Sequence, residues 1–369
     1  MHCPTFLKSF IRVVSVLLLG QWGLLGCLTE IDLEAPESVT ARTAIRGKLV
    51  ASDQPYVLVE ITNVSDYRAA DIPEAVIGAE VLLTTDAGEA VLLPMRRNGE
   101  YYLDLNQPGP LSPDIGENFQ LTVTTPEGRT YQSDWEPLRP VPTPAGITQV
   151  SETRMVLNNV GNTVEQEFLR FLVNTPITNP EDGTGAFLKW EFSGVFRITE
   201  STLDLPIPPQ AKICYIREVV NLENVVVFNG NAGRTEQLES FFLLEEPYDY
   251  RFYEGYYLTV RQQSLSENAH QYWAKISEVV NRSGNFFESP AGKVTGNFRN
   301  VVDTEEEVFG YFYATEEITL HYRVQRGEKR IFPLCPTLVK PDADGVNYLC
   351  FNCLDHPKSS EEKPAFWID

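Results

Sequence analysis

The chain has 369 residues, with 30 lysines and arginines against 51 aspartates and glutamates, a formal charge of −21, and 43% hydrophobic residues. Such acidity argues against nucleic acid and against peripheral attachment to anionic lipid, both of which need a basic face. The length permits two domains.

Lys8 and Arg12 open the chain, Val13 to Leu25 is almost wholly apolar, and Leu24-Leu25-Gly26-Cys27 closes the run. About 13 apolar residues are too few to cross ~30 Å of hydrocarbon, so residues 1–26 read as a cleaved export signal. Leu-x-Gly-Cys resembles the bacterial lipobox, which makes Cys27 the expected lipidation site and a lipid bilayer the expected partner. One acyl chain binds a bilayer marginally, whereas two or three hold a protein there. Losing Lys8 and Arg12 leaves 28 basic against 51 acidic residues over 343 positions, a charge of −23. Residues 27–37 carry Glu30, Asp32, Glu34 and Glu37, an acidic tether that reads equally as a solvated linker or a surface-export signal. The body is expected to be held at a membrane surface.

Four cysteines remain after Cys3 and Cys27 are set aside: Cys214, Cys335, Cys350 and Cys353. In an oxidising compartment an even count reads first as two disulfides, with three possible connectivities. Cys350-Phe-Asn-Cys353 also has zinc-ligand or redox-dithiol spacing, but no second such pair accompanies it. No metal and no cofactor is expected.

The fold class is mainly β, an immunoglobulin-like sandwich over 38–136 followed by a larger β-rich domain over 147–369 with one helix. Tyr56–Ile61 is β-branched, Asp86-Ala87-Gly88 separates two apolar runs, and Asn98-Gly99 marks a hairpin between Met95–Arg97 and Tyr101–Leu103. Thr125-Pro126-Glu127-Gly128 supplies a further turn. Pro137, Pro140, Pro142 and Pro144 then form a stiff linker over 137–146, the expected domain boundary. Beyond it Leu188, Trp190, Phe192, Phe196 and Ile198 alternate with Lys189, Glu191, Ser193, Arg197 and Thr199, predicting one apolar and one wet face. Ile318, Leu320, Tyr322 and Val324 repeat the pattern. Leu265, Ala269, Tyr272, Trp273, Ile276 and Val280 have helical spacing, predicting an amphipathic helix near 265–281 laid on a sheet, with Ser264 to Glu267 as a capping box.

Candidate chemistry is sparse. No nucleophile elbow, H-E-x-x-H helix, P-loop or dinucleotide fingerprint occurs. His270, His321 and His356 are expected on solvated surfaces. Pro341 to Asn347 alternates oxygen-bearing residues before Gly345 but lacks the remaining ligands of a calcium loop, and reads as an acidic turn. The run Tyr248, Tyr250, Phe252, Tyr253, Tyr256, Tyr257 is a candidate ligand platform, with Tyr250, Tyr253, Tyr256 and Tyr257 as its contact residues, or else a covered sheet face.

Gln271-Tyr272-Trp273, Phe286-Phe287-Glu288-Ser289-Pro290, Val294-Thr295-Gly296-Asn297-Phe298, Val308 to Ala314, Cys350-Phe-Asn-Cys353 and Lys363 to Trp367 together resemble a family of exported lipoproteins, domain of unknown function 4249. The tail departs from it, with Pro357 to Glu362 where glycines are usual. The resemblance implies an outer-membrane lipoprotein, on the periplasmic or the exposed face, often encoded beside TonB-dependent receptors, and no known enzyme activity. Gly296 and Gly310 are expected to allow tight backbone geometry near packed aromatics. The leading expectation is a non-enzymatic accessory or ligand-binding partner of a TonB-dependent receptor. The alternatives are a surface adhesion module for glycan or peptide, and a hydrolase using an unrecognised carboxylate pair.

Overall fold

Strand β1 (Arg42–Ala51) turns into β2 (Tyr56–Val64) in continuous antiparallel register. Their apolar residues alternate, so Ile45, Leu49, Val57, Val59 and Ile61 fall on one face and are buried. A second sheet covers that face, built from β3 (Glu80–Thr85), while β4 (Glu100–Asp104) extends the first sheet beside β2. The second sheet continues through β5 (Asn118–Thr124) and β6 (Thr130–Ser133). Val81, Leu83, Phe119, Leu121 and Val123 complete a sandwich core. Gly99 has φ +71°, which the turn between Met95–Arg97 and β4 requires, as the Asn-Gly pair predicts.

The computed structural model of the chain describes residues 42–64, 73–107, 109, 111–220, 224–232, 236–280, 293–341 and 343–368. The signal segment, Cys27, the acidic tether and the Phe286 to Pro290 motif lie outside the described residues.

The second half adds β7 (Gly146–Leu157), β8 (Thr163–Pro176), β9 (Phe187–Thr199), β10 (Ile213–Val219), β11 (Gln237–Pro247) and β12 (Tyr256–Leu265). Helix α1 (Glu267–Val280), β13 (Phe298–Asn300), β14 (Phe312–Arg323) and β15 (Ser359–Ser360) follow. The chain is mainly β.

The two halves share one sheet. β14 runs antiparallel to β12 and parallel to β1, so the order β15-β10-β9-β12-β14-β1-β2-β4 is unbroken from the C-terminal residues to the N-terminal sandwich. β7, β8 and β11 form a separate three-stranded sheet. It packs Leu169, Phe171, Val173, Leu243 and Leu244 against Leu188, Trp190, Phe192, Leu258 and Val260 of the long sheet. The same face of the long sheet therefore carries both cores, side by side.

The expected boundary changes meaning accordingly. The proline-rich stretch is where the chain passes from one core to the next, with Leu138 in the first and Val141 in the second. It is not a free linker, because Glu136–Pro137 pairs with β5 and Leu138 and Val141 are buried. Phe298, Val308, Phe312 and Ala314, assigned by sequence order to the second domain, pack in the first core. Residues Ala41–Asp369 form one compact unit.

Candidate functional site

Because side chains alternate along a strand, the opposite face of the long sheet carries the polar set. Register places them in rungs across β9, β12 and β14: Lys189–Gln263–Glu317, then Glu191–Arg261–Thr319, then Ser193–Thr259–His321. Two elements cover the ends of this face. At one end α1 lays Ala269, Tyr272 and Trp273 over Tyr311 and Tyr313, with Tyr272 stacked on Tyr311 at 4.6 Å between centroids. At the other, the C-terminal segment presses Trp367 against Val195, Tyr215 and Tyr257. An open groove of about 1400 Å³ lies over the rungs; the β1–β2 turn and residues Pro357 to Ser360 line its sides.

The wet face predicted for β9 is not wet throughout. Lys189 is only 4% exposed, and its Nζ donates to Glu191 Oε1 at 2.6 Å and Gln263 Oε1 at 3.1 Å. The ammonium also lies 4.6 Å from the centre of the Trp273 ring. Lys48, arriving from β1, donates to the other oxygen of Glu191 at 3.1 Å. Burial disfavours both ammonium groups, but the Tyr313 hydroxyl and the Glu191 carboxylate outweigh it and hold them above the usual lysine range. Burial likewise disfavours the Glu191 carboxylate, and the two lysines overcome that penalty, keeping it well below the usual range. Further along, Arg261 donates to Ser193 Oγ at 3.2 Å and lies 3.9 Å from Glu317, which accepts from Gln263 at 2.7 Å. The floor is a prearranged ionic lattice.

His321 is on the exposed side of β14, as expected, but it is not solvated on both faces. Its ring stacks on Phe366 at 3.8 Å, and its Nδ1 is 3.0 Å from the Thr259 hydroxyl. Burial, aided by Arg261, lowers its pKa. His270 departs from expectation: it is buried against Phe187, 4.9 Å between ring centres, and burial lowers its pKa too. His356 accepts from the Lys358 backbone at 3.2 Å in a surface turn. The helix cap also differs. Ser266, not Ser264, accepts from the Ala269 amide at 3.0 Å, and Ser264 instead donates to the Arg139 carbonyl.

Two of the four candidate platform tyrosines are interior. Tyr256 is 0% exposed, stacked on Phe252 and donating to Glu218 at 2.7 Å; Tyr257 is buried under Trp367 and Phe366. Tyr250 and Tyr253 keep more than a third of their surface open. Tyr250 opens a short 3-10 turn, Tyr250–Phe252, and Tyr253 caps it, with Phe252 alone of the turn buried in the core.

The cysteines pair as Cys214–Cys353 and Cys335–Cys350. Cys350 and Cys353 therefore go to different partners, and their spacing reflects two adjacent disulfides rather than a zinc or redox motif. Among the described residues no group of three or more histidines, cysteines and carboxylates is placed to hold a metal. Asp342 of the acidic turn lies outside the described residues, and Asn347 caps the next 3-10 turn by accepting from the Leu349 amide.

The family match covers residues 29–320, from the acidic tether through the floor strands, to the family described as "Domain of unknown function (DUF4249)". The chain belongs to the DUF4249 family. No curated protein matches it. The DUF4249 match contains Lys48, Lys189, Glu191, Arg261 and Glu317, and stops before Cys335 and the tail that lines the groove. None of these five floor residues was legible as a site. Lys189 and Glu191 stand at polar phases of an alternating strand, like any solvent-facing pair, and Lys48 reaches them only because β14 sits between β1 and β12.

Proposed function

We propose that this DUF4249 chain is a lipid-anchored, non-enzymatic binding protein of the outer membrane, which captures a ligand in the groove beside a TonB-dependent receptor. The observation that carries this reading is the groove itself: wide, open, and floored by charged and hydroxyl groups held in fixed positions by one another. Such a floor suits recognition, in which preorganised polar groups replace a ligand's hydration. Glu191 itself, ionised and divided between the two lysine ammonium groups, is engaged as their counter-ion and is not free to act as a general acid. The lipobox supports the anchor, and two disulfides suit an oxidising compartment. Tethering raises the effective concentration near a membrane channel, so modest contacts with a receptor suffice. Two experiments test the reading. Cys27→Ser should release the protein from the membrane fraction, and affinity purification of the lipidated native protein should recover a β-barrel receptor. Recovery of no such receptor sinks the partnership.

The exposure of Tyr250 and Tyr253 favours a second reading, adhesion to glycan or peptide through that turn. Glycan-array binding lost in Tyr250→Ala and Tyr253→Ala would support it over the groove.

A further inference from the structure

We infer that the groove takes an acidic oligosaccharide, a chain of hydroxylated rings whose carboxylate docks on the Lys48 ammonium. This rests on the groove being the binding site and adds the chemical class of what it binds.

Charge is the first argument. On the floor and just beneath it Lys48, Lys189 and Arg261 outnumber Glu191 and Glu317 by one; of the other charged residues along the groove, Arg217 and Lys358 balance Asp53 and Asp114, Glu218 is paired with Arg251, and the Glu316 carboxylate accepts from the Val141 amide. One carboxylate, Glu191, is divided between two ammonium groups. Lys189 is otherwise satisfied by Gln263 and the Tyr313 hydroxyl. Lys48 has Glu191 as its hydrogen-bond partner among the described residues, and its side chain is 18% exposed at the groove. A largely buried ammonium with donors to spare and only half a counter-ion is most stable when an anion completes its shell.

Shape and lining select the rest of the ligand. The groove exceeds the roughly 300–1,000 Å³ of a site for one small molecule. Peptides bind sheets chiefly by adding a strand to a free edge. Here β9, β12 and β14 each have a neighbour on both sides, so the floor offers side chains and no backbone edge. Those side chains are Ser193, Thr259, Thr319 and Arg261, which match hydroxyl groups, with the Phe366 and Tyr56 rings at the margins.

The test is calorimetric titration of the detergent-solubilised full-length protein with hexagalacturonate, its methyl ester, and hexaglutamate. Native protein should bind hexagalacturonate at least tenfold more tightly than the ester. Lys48→Gln should abolish that preference, Lys48→Arg should restore it, and Thr319→Trp, at an exposed floor position, should abolish binding of both. The comparison of acid with ester on native protein stands even where a lysine variant folds poorly. Equal binding of acid and ester, tighter binding of hexaglutamate, or no binding of hexagalacturonate overturns the inference. In the first two cases sensitivity to Thr319→Trp leaves the groove as the binding site. Uronate binding that is unaffected by Thr319→Trp overturns the groove reading as well.

Discussion

Glu136 is 1% exposed and accepts hydrogen bonds from Tyr311 at 2.5 Å and Ser266 at 2.7 Å, with Asn297 at 3.5 Å. Burial pushes its carboxyl up to about 7, against a usual value of 4.5; the hydrogen bonds oppose this and Asp134 adds to it. The folded state therefore holds the proton more tightly than the unfolded one. This contribution to stability is fully present below the unfolded pKa and is lost as pH rises through 7. Glu136→Gln keeps a neutral group at every pH. The variant should match the native protein near pH 4 and exceed it by up to ~3 kcal/mol at pH 8, since each pKa unit is worth about 1.4 kcal/mol. Denaturant unfolding at the two pH values measures it; a constant difference between them would remove Glu136 as the source. Nothing in the sequence marks this residue, because Asp134-Trp135-Glu136 reads as an ordinary polar stretch before prolines.

Single strands, turns and cross-links carry the next three predictions. Gly310 has φ +98°, and a Cβ there would meet the Ile45 carbonyl oxygen at 1.9 Å; one on Gly296 would meet the Gly310 oxygen at the same distance. The backbone entering β14 thus lies directly against β1, with the Phe309 carbonyl accepting from Ile45 and the Tyr311 carbonyl from Gly47. The sequence expectation of tight geometry at both glycines is met. Gly310→Ala combines a positive φ with a main-chain clash and should destabilise by about 3 kcal/mol or more, read as a lowered melting temperature. The short disulfide closes a separation of 15 residues between Cys335 and Cys350. Its replacement by two serines should cost ~3 kcal/mol, the amount expected from the loop entropy it removes. Non-reducing peptide mapping should recover Cys214 joined to Cys353 and Cys335 joined to Cys350.

Across the whole molecule, the shared sheet makes the two halves interdependent. Residues 42–146 produced alone would lose β14, leaving β1 as an exposed edge, and would lose Phe298, Val308 and Phe312 from the first core. Burying each such side chain is worth ~1.5–3 kcal/mol, so the three together rival a domain's net stability of about 5–15 kcal/mol. The fragment should show no cooperative thermal unfolding, whereas residues 27–369 should. A sharp transition in the fragment would show that the sandwich folds independently.

Local chemistry was enough to read the β class, the Asn-Gly hairpin, the amphipathic helix, the alternation of β9 and β14 and the two close-packed glycines. Each of these follows from residues near one another in the chain: side-chain period, turn φ angles, the space a Cβ occupies. Sequence order misled where contacts are distant. It could not bring β14 beside β1, choose among three cysteine pairings, say which tyrosines of the 248–257 run are covered, or unite Lys48 with Lys189 and Glu191, the last of them 143 residues from Lys48. Those arrangements depend on which strands become neighbours, and that choice is settled by packing the whole long sheet against two cores at once.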